Sequence, residues 1–315
     1  MKDACGREID YLRISLTDLC NLRCIYCMPP EGVTKLCHSG VLSLEETAEI
    51  AAAAVALGIK KIRLTGGEPL VKRGIIGLCE KLSALPGLEE LTMTTNGTLL
   101  PAFARELKAA GVSRVNISLD SLDPEKYRRI TRGGELSDAL AGIRAAEEAG
   151  LTPIKLNTVL MGGINDDEIA ALTELTRTKP YELRFIELMP MTEGFPPSAF
   201  LGAQTVPQAV PELVPLGKKR GVAELWQLPG GAGTVGLIRP ISHAFCAECD
   251  RIRLTSDGKL KTCLHTDSEL SLRGLHGEAL TEALRSAILS KPPRRGELSA
   301  DRTSGAGRTM NQIGG

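Results

Sequence analysis

Two groups of closely spaced cysteines are the residues of this sequence whose type and spacing can do chemistry. Cys20, Cys24 and Cys27 form the first group, near the start of the chain. Three thiolates at this spacing can bind three irons of a 4Fe-4S cluster and leave the fourth iron open to a ligand that the protein does not supply. A zinc site would need a fourth protein ligand, and the next cysteine and histidine, Cys37 and His38, lie well beyond this group. The spacing therefore favours an iron-sulfur cluster with an open coordination position.

The second group, Cys246, Cys249 and Cys263, lies near the other end of the chain. It again offers three thiolates, but His265 follows the last of them closely. A structural zinc site of three cysteines and one histidine fits this pattern as well as a second cluster does. The spacing alone leaves both interpretations open. We assign no role to the scattered cysteines, which are Cys5, Cys37 and Cys79.

The composition is that of an ordinary globular protein. The 315 residues contain 38 Lys and Arg against 38 Asp and Glu, so the formal net charge is zero, whereas nonspecific binding to polyanions needs a basic excess. The longest apolar run, residues 50–59, is about half of the roughly 20 residues that span a bilayer. We therefore expect neither nucleic acid nor a membrane as a partner. The N-terminus lacks the apolar segment of a secretion signal, so we expect the chain to stay in the reducing cytoplasm.

The elements that must position the cysteines follow a repeating pattern up to about residue 188. Short β-branched or apolar segments alternate with helical stretches, which predicts parallel strands joined by helices. The predicted strands are residues 11–16, 61–64, 91–94, 114–119, 154–160 and 183–188. Six such units predict an α/β fold that curls into an incomplete (βα)6 TIM-like barrel, although an open doubly wound sheet also fits the pattern.

Local signals predict where several helices begin and end. Ser43 with Glu46 has the spacing of a capping box, and Asp123-Pro124 and Ser137 are further predicted starts. The predicted ends are the glycines at positions 58, 111 and 150, since glycine adopts the left-handed conformation that closes a helix.

Beyond the repeat the sequence predicts a less regular C-terminal part, with 1–190 as the partial barrel. Residues 191–230 are rich in proline, which predicts a linker and packing layer with little helix. Residues 231–290 are predicted as a smaller cluster-binding domain, in which Asp257-Gly258 turns a hairpin between strands at 251–255 and 259–262. Residues 291–315 form a tail rich in Gly, Ser and Arg, and composition alone predicts that it is disordered.

The first cysteine group and the loops after the predicted strands resemble those of the radical S-adenosylmethionine (SAM) superfamily. The C-x3-C-x2-C spacing with Tyr26 before the last cysteine resembles the signature of that superfamily, and Gly66-Gly67-Glu68-Pro69 resembles its glycine-rich loop. Other polar loops converge with Lys155 on the same end of the barrel, namely Thr94-Thr95-Asn96-Gly97, Ser118-Leu119-Asp120-Ser121 and Glu187-Leu188-Met189-Pro190. The resemblance implies that the open iron binds SAM and that one-electron reduction of SAM releases a 5'-deoxyadenosyl radical.

The whole chain resembles the GTP 3',8-cyclase family of molybdenum cofactor biosynthesis. The match extends from Gly6-Arg7 through KIRLTGGEP, TTNG, SLDSL and LRFIELMP to CDRIRLTSDGKLKTCL and the terminal Ile313-Gly314-Gly315. The sequence differs from the common family residues at Leu19, Asp250 and Arg294-Arg295, and none of these is an expected ligand. The resemblance implies that the second cysteine group holds a second 4Fe-4S cluster whose open iron faces the substrate. It also implies that the terminal glycines reach into the active site.

The resemblance further implies a set of site residues, a reaction and partners. The implied GTP contacts are Arg13, Arg63, Thr94, Lys155, Arg251 and Arg253. The implied SAM contacts are Tyr26, Gly67, Ser118 and Met189. The implied lyase reaction converts GTP to 3',8-cyclo-7,8-dihydro-GTP, and it begins with removal of hydrogen from ribose C3'. The implied partners are an electron donor protein, the downstream cyclic pyranopterin monophosphate synthase and a second copy of the chain in a homodimer.

Two other functions stay open at this point. A different radical SAM enzyme with an auxiliary cluster, such as a peptide-modifying maturase, would share the first cysteine group but usually has more C-terminal cysteines. A zinc-stabilised protein that binds a nucleotide without catalysis would use the second group as a structural metal site. On the residues alone, Arg251 and Arg253 also fit a solvated strand face, because they alternate along one predicted strand.

Overall fold

The structure, a computed structural model, describes residues 1–33, 40–191, 196–299 and 304–314. All six strands predicted in the repeat are present, with bounds within one residue of those expected. They are β1 (Tyr11–Ser15), β2 (Lys61–Thr65), β3 (Glu90–Thr95), β4 (Arg114–Ser118), β5 (Lys155–Leu160) and β6 (Glu182–Glu187). The helices that join them are α1 (Leu44–Ala56), α2 (Ile75–Ser83), α3 (Leu100–Ala109), α4 (Pro124–Thr131), α5 (Leu136–Glu148) and α6 (Ile169–Thr178).

The six strands of the repeat lie side by side in chain order, and every neighbouring pair is parallel. A doubly wound sheet reverses its strand order partway, whereas a barrel adds each strand next to the last. The consecutive order therefore identifies a partial barrel. The apolar residues of each strand, such as Leu12 and Leu64, are fully buried in the core that also contains the inner faces of the helices.

The helix signals are largely confirmed. The Ser43 hydroxyl accepts the Glu46 amide and the Glu46 carboxylate accepts the Ser43 amide, which is the predicted capping box. Each of the three predicted closing glycines has a positive φ and directly follows the C-cap residue of its helix. The prediction that Ser137 starts a helix is wrong, since α5 already begins at Leu136 and Ser137 lies within it.

The C-terminal part continues the same sheet. Its strands are β7 (Val214–Arg220), β8 (Ala223–Gln227), β9 (Thr234–Ile238), β10 (Arg251–Leu254), β11 (Lys259–Lys261) and β12 (Leu270–Ser271). β9 pairs in parallel with β6, β10 pairs in parallel with β1, and the others are antiparallel at the two margins. The predicted 251–262 hairpin is present as β10 and β11. Residues 231–290, predicted as a domain of their own, thus contribute four strands to the barrel sheet.

The prediction that residues 191–230 are a linker and irregular layer is wrong for their second half. β7 and β8 form an antiparallel pair there, and β8 also pairs with β9. The prolines did not prevent this, because Pro215 lies on the outermost strand, where a missing amide donor costs nothing. The helical content is low as expected, with α7 (Thr205–Ala209) as one short helix.

The tail is ordered where the structure describes it, so the disorder predicted from composition is wrong for residues 304–314. α8 (Gly277–Leu289) precedes the tail, and α9 (Met310–Ile313) lies near its end. Ile313 is fully buried, and Arg308 forms ion pairs with Asp257 at 2.8 Å and Glu269 at 2.6 Å. These specific contacts outweigh the low apolar content. The prediction for Gly315 lies outside the described residues.

No helix in the described ranges combines the length and the apolar character needed to cross a membrane.

Candidate active site

Polar side chains at alternate strand positions face the inside of the partial barrel. In the sheet register, Arg13 of β1 stands opposite both Arg63 of β2 and Arg253 of β10. Side chains alternate between the two faces of a strand, so the intervening residues Leu12 and Ile252 face the helices and are fully buried. The interior is therefore a polar chamber, unlike the packed apolar interior of an ordinary (βα)8 barrel.

One cavity of about 790 Å³ occupies this chamber, a volume within the usual range of ligand sites. Every site residue predicted from the sequence lines it. They are Arg13, Cys20, Cys24, Tyr26, Cys27, Arg63, Gly67, Thr94, Ser118, Lys155, Met189, Cys246, Cys249, Arg251, Arg253 and Cys263. The structure thus brings together residues that are as far apart in the sequence as Arg13 and Cys263.

The two cysteine groups lie at opposite ends of the strands. The first group follows β1 and so lies at the carboxyl end of the parallel strands. Cys249 precedes β10, and Cys263 follows the antiparallel β11, so both lie at the amino end of the same strands. The chamber consequently extends from one thiol group to the other.

The thiols of the first group are half-buried and retain their protons strongly when free. Burial raises the pKa of Cys27 to about 12 and also raises the pKa of Cys20 and Cys24. Tyr26, between them in sequence, donates a hydrogen bond to Asp120 at 2.7 Å. A metal would have to displace the thiol protons, which couples its binding to pH.

The arrangement of both groups fits a cluster better than a single ion. Among the described residues, no three Cys, His, Asp or Glu side chains lie close enough together to hold one metal ion. A cubane cluster binds each thiolate through a different iron, so its ligands stand farther apart around one wall of a cavity. His265, the proposed fourth zinc ligand, instead contacts the Ser304 hydroxyl at 3.0 Å. Burial, Arg295 and Arg253 lower the pKa of His265 to about 3.

The glycine-rich loop after β2 presses against the first cysteine loop. The Gly67 amide donates to the Thr17 carbonyl at 2.7 Å, and a Cβ on Gly67 would lie 2.4 Å from the Leu19 carbonyl oxygen. Only glycine permits this approach. The Gly67 amide is therefore already hydrogen-bonded within the protein. The carbonyl groups of this loop can still accept hydrogen bonds from a ligand, which suits an ammonium.

Buried Glu68 connects this loop to the next one. Its carboxylate accepts hydrogen bonds from the Leu70 amide, the Thr95 hydroxyl and the Asn96 amide at 2.8 to 3.0 Å. Burial raises its pKa to about 7 although these bonds oppose the shift. Glu68 therefore holds two loops of the cavity mouth in fixed relation.

The cavity carries a strong positive charge although the chain as a whole is neutral. Ten Arg and Lys residues line it, against three Asp and Glu. Burial and the other cations lower the pKa of Arg63 and Arg253 to about 10 and that of Lys155 to about 7. Cations concentrated in this way are stabilised by an anionic ligand, because its charge offsets both effects. The solvated-face interpretation of Arg251 and Arg253 is wrong, since both line the interior.

Sequence reasoning missed several charged residues of this chamber. Arg114 and Arg184 line it, and buried Glu182 accepts from Lys155 at 3.2 Å and from Arg220 at 2.7 Å. The signal was present in the alternation of charged and apolar residues along β4 and β6, where Glu182-x-Arg184 repeats the pattern of Arg251-x-Arg253. Both strands were predicted, but their polar face was not assigned to the interior.

The tail reaches this chamber. Arg253 donates to the Gly314 carbonyl at 2.8 Å, and Asn311 donates to the Asp18 carbonyl at 3.0 Å. Gly314 has a φ of 76°, and a Cβ there would lie 2.1 Å from the Thr65 hydroxyl oxygen. Only glycine fits this position.

Comparison with known proteins identifies the family. The model of the Radical SAM superfamily matches residues 14–176, and that of Molybdenum Cofactor Synthesis C matches residues 181–297. The GTP 3',8-cyclase of Alkaliphilus oremlandii is 51% identical over 321 residues, covering 100% of both chains. The chain belongs to the GTP 3',8-cyclase family. Another member, from Peptoclostridium acidaminophilum, is 52% identical and covers 99% of this chain and 98% of its own.

Solved structures show the same fold at much lower identity. SuiB of Streptococcus suis, bound to S-adenosylmethionine, has a TM-score of 0.61 and 14% identity, covering 89% of this chain and 68% of its own. The structure of anSMEcpe with bound AdoMet has a TM-score of 0.57 and 15% identity, covering 90% and 81%. These likenesses show that this GTP 3',8-cyclase family member has the fold of radical SAM enzymes.

Proposed function

We propose that this chain converts GTP to 3',8-cyclo-7,8-dihydro-GTP, the first step of molybdenum cofactor biosynthesis, with two 4Fe-4S clusters and SAM as cofactors. The observation that carries the proposal is the cation-rich cavity with a thiol group at each end. Such a cavity offers a redox centre at both ends of an anionic ligand. The names of full-length relatives at about half identity supply the substrate.

The first cysteine group would hold the SAM-binding cluster. When bound, the cluster and SAM supply the 5'-deoxyadenosyl radical that removes hydrogen from ribose C3' of the substrate. The chain's own contribution is orientation. The carbonyls of the loop at Gly67 suit the SAM ammonium, and Tyr26, Ser118 and Met189 line the same end of the cavity.

The cations between the two ends would hold GTP. Guanidinium forks suit phosphate oxygens, and each charge-assisted contact contributes about 1.5 to 3 kcal/mol. Arg13, Arg63 and Arg253 stand on adjacent strands in register, so their spacing is set by the sheet. Thr94, Lys155 and Arg251 complete the set, and the guanine would lie toward Cys246, Cys249 and Cys263. The tail, which reaches the chamber at Gly314, would also limit access of water to the reacting carbon.

The remaining partners follow from the chemistry of this reaction. Reductive cleavage of SAM consumes an electron, so we propose an electron donor protein. The product must pass to the next enzyme, which we propose is cyclic pyranopterin monophosphate synthase. We also propose a cytoplasmic location, since oxygen-sensitive clusters and free thiols need a reducing compartment. The homodimer is a separate proposal, and it rests on the family resemblance alone.

The test is anaerobic incubation of the protein with SAM, a chemical reductant and each nucleoside triphosphate in turn. We expect a cyclised product by mass spectrometry with GTP alone, together with 5'-deoxyadenosine. Metal analysis should give about eight irons per chain. Four irons with one zinc, or turnover without any cyclised nucleotide, would contradict the proposal.

Cysteine variants separate the two ends of the site. Cys27→Ala should abolish 5'-deoxyadenosine formation, because the SAM-binding cluster loses a ligand. Cys263→Ala should abolish cyclisation while SAM binding and the first cluster's spectrum persist. Exposed Cys5→Ala is the matched control and should retain both activities. Equal loss of SAM binding in Cys263→Ala would contradict the division of roles.

A further inference from the structure

Lys291 joins the two chain segments that carry Cys249 and Cys263. Its ammonium donates to the carbonyl oxygen of Arg251 at 2.8 Å and to that of Thr262, the residue directly before Cys263. Lys291 is buried, with 4% of its surface exposed. A buried ammonium held by two neutral carbonyls is a costly feature unless a negative group lies nearby.

Arg7 holds the third segment of the same group. Its guanidinium donates to the Cys246 carbonyl at 2.9 Å and to the Pro292 carbonyl at 2.8 Å. The charge of Arg7 is balanced by Asp3, whose carboxylate lies 2.6 Å away and is fully buried. All three cysteine segments are therefore attached to the chain around residues 291–293.

The charge of Lys291 differs from that of Arg7 in having no such counter-ion. In the described ranges, no Asp or Glu oxygen lies within 4.0 Å of its ammonium. The carbonyls that its ammonium contacts lie close in sequence to two expected cluster ligands, since Arg251 comes two residues after Cys249 and Thr262 directly before Cys263.

We infer that Lys291 is a positioning residue of the second cluster, which holds the segments of Cys249 and Cys263 together and places a positive charge between them. The inference rests on the proposed function, since it takes the second group to hold a 4Fe-4S cluster. A cluster becomes more negative on reduction, so a fixed ammonium at a ligand favours the reduced form. Lys291 therefore makes the second cluster easier to reduce than the same cluster would be without this charge.

The test compares midpoint potentials of the two clusters in anaerobic, iron-replete enzyme, followed by electron paramagnetic resonance. Lys291→Met keeps the length of the side chain and removes its charge. We expect the equilibrium constant for reducing the second cluster to fall about tenfold, which corresponds to about 59 mV for one electron. The first cluster should not change. Lys291→Arg should keep the wild-type potential, and Lys60→Met, at an exposed lysine, is the control.

An unchanged second-cluster potential in fully loaded Lys291→Met would overturn the inference. If that variant loses the second cluster, Lys291→Arg decides: a wild-type potential supports the role of the charge, and a lowered potential contradicts it. Zinc in the second site, or no cyclised product from the wild-type protein, would instead refute the proposed function. The two failures are therefore distinguishable.

Discussion

Lys155 is the cavity cation whose charge is most sensitive to pH. Burial, Arg184 and Arg114 lower its pKa to about 7, although Glu182 at 3.2 Å opposes the shift. The unfolded chain binds the Lys155 proton up to a pH near its ordinary pKa of 10.5, and the folded chain releases it from about 7 upward. Between these values the unfolded state holds more protons, so this lysine makes stability rise with pH.

GTP binding should show the opposite pH dependence. The triphosphate favours the charged form of Lys155, so binding takes up a proton above pH 7. We expect affinity to fall by up to about tenfold per pH unit from about pH 7.5 upward. Calorimetry in buffers of different ionisation enthalpy measures the proton uptake directly.

Lys155→Arg provides the control for this pH dependence, because a guanidinium keeps its charge throughout the range. It should flatten the pH profile of GTP affinity and remove the proton uptake. An identical profile in the two proteins would show that another group titrates.

At the scale of elements, the close contact between the glycine-rich loop and the first cysteine loop should be sensitive to a single methyl group. Gly67→Ala places its Cβ against the backbone of Asp18 and Leu19, which cannot move aside as a flexible side chain would. We expect lower iron content at the first cluster and at least tenfold less 5'-deoxyadenosine. Iron analysis and product assay after anaerobic reconstitution measure both.

Gly77→Ala is the matched control for this loop. Gly77 lies in α2 with nothing within 4 Å of an added Cβ, and alanine is favoured over glycine in a helix by roughly 1 kcal/mol. This variant should melt at or above the wild-type temperature with full activity. Normal iron content in Gly67→Ala would show that the loops can separate without harm.

Elements with a strong local signal were predictable from the sequence. The strands of the repeat largely alternate apolar and polar residues, and Ser43 with Glu46 specifies a helix start within four residues. Ser137 misled because serine is common at helix starts, yet the tertiary contacts of Leu136 extend the helix past it. β7 was missed because an outer strand tolerates prolines that would break an inner one.

The sequence allowed most residues of the site to be predicted, but it did not show how they enclose one cavity. The cysteine spacing identified both ends, and the resemblance to a family supplied Arg13, Lys155 and Arg253. The inward direction of Arg114 and Arg184 depends on which strand face turns away from the helices. The alternation of charged and apolar residues along β4 and β6 marks that face locally, but the extension of the sheet by β9 and β10 is a long-range pairing that no local pattern encodes.

At the scale of the whole molecule, the tail joins the end of the chain to residues near its start. Deleting Gly314 and Gly315 should strongly reduce cyclised product, because Arg253 loses the carbonyl that it contacts. Iron content, SAM binding and Tm should stay close to wild type, since buried Ile313 and the ion pairs of Arg308 remain. Product assay, iron analysis and thermal unfolding test the three parts.

Gly314→Ala examines the same position without shortening the chain. The added methyl group meets Thr65 at a positive φ, so this variant should lose as much turnover as the deletion. Gly305→Ala, where the nearest atom is 3.5 Å from an added Cβ, should behave as wild type. Full turnover by the truncated chain would mean that the tail takes no part in the reaction.

The pairing of β1 with β10 sets the distance between the two thiol groups. The first thiol group follows the carboxyl end of β1, and Cys249 of the second group precedes the amino end of the neighbouring β10. The distance between the two groups therefore depends on the length of these strands. Four to five residues measure roughly 13 to 17 Å, a length fixed by covalent geometry rather than by how two bodies dock. A ligand that contacts both thiol groups must therefore have a matching length, whatever hydrogen bonds it forms. Lengthening both strands by two residues would keep every side chain on its face of the sheet. It would make the distance between the two thiol groups too long for the same ligand.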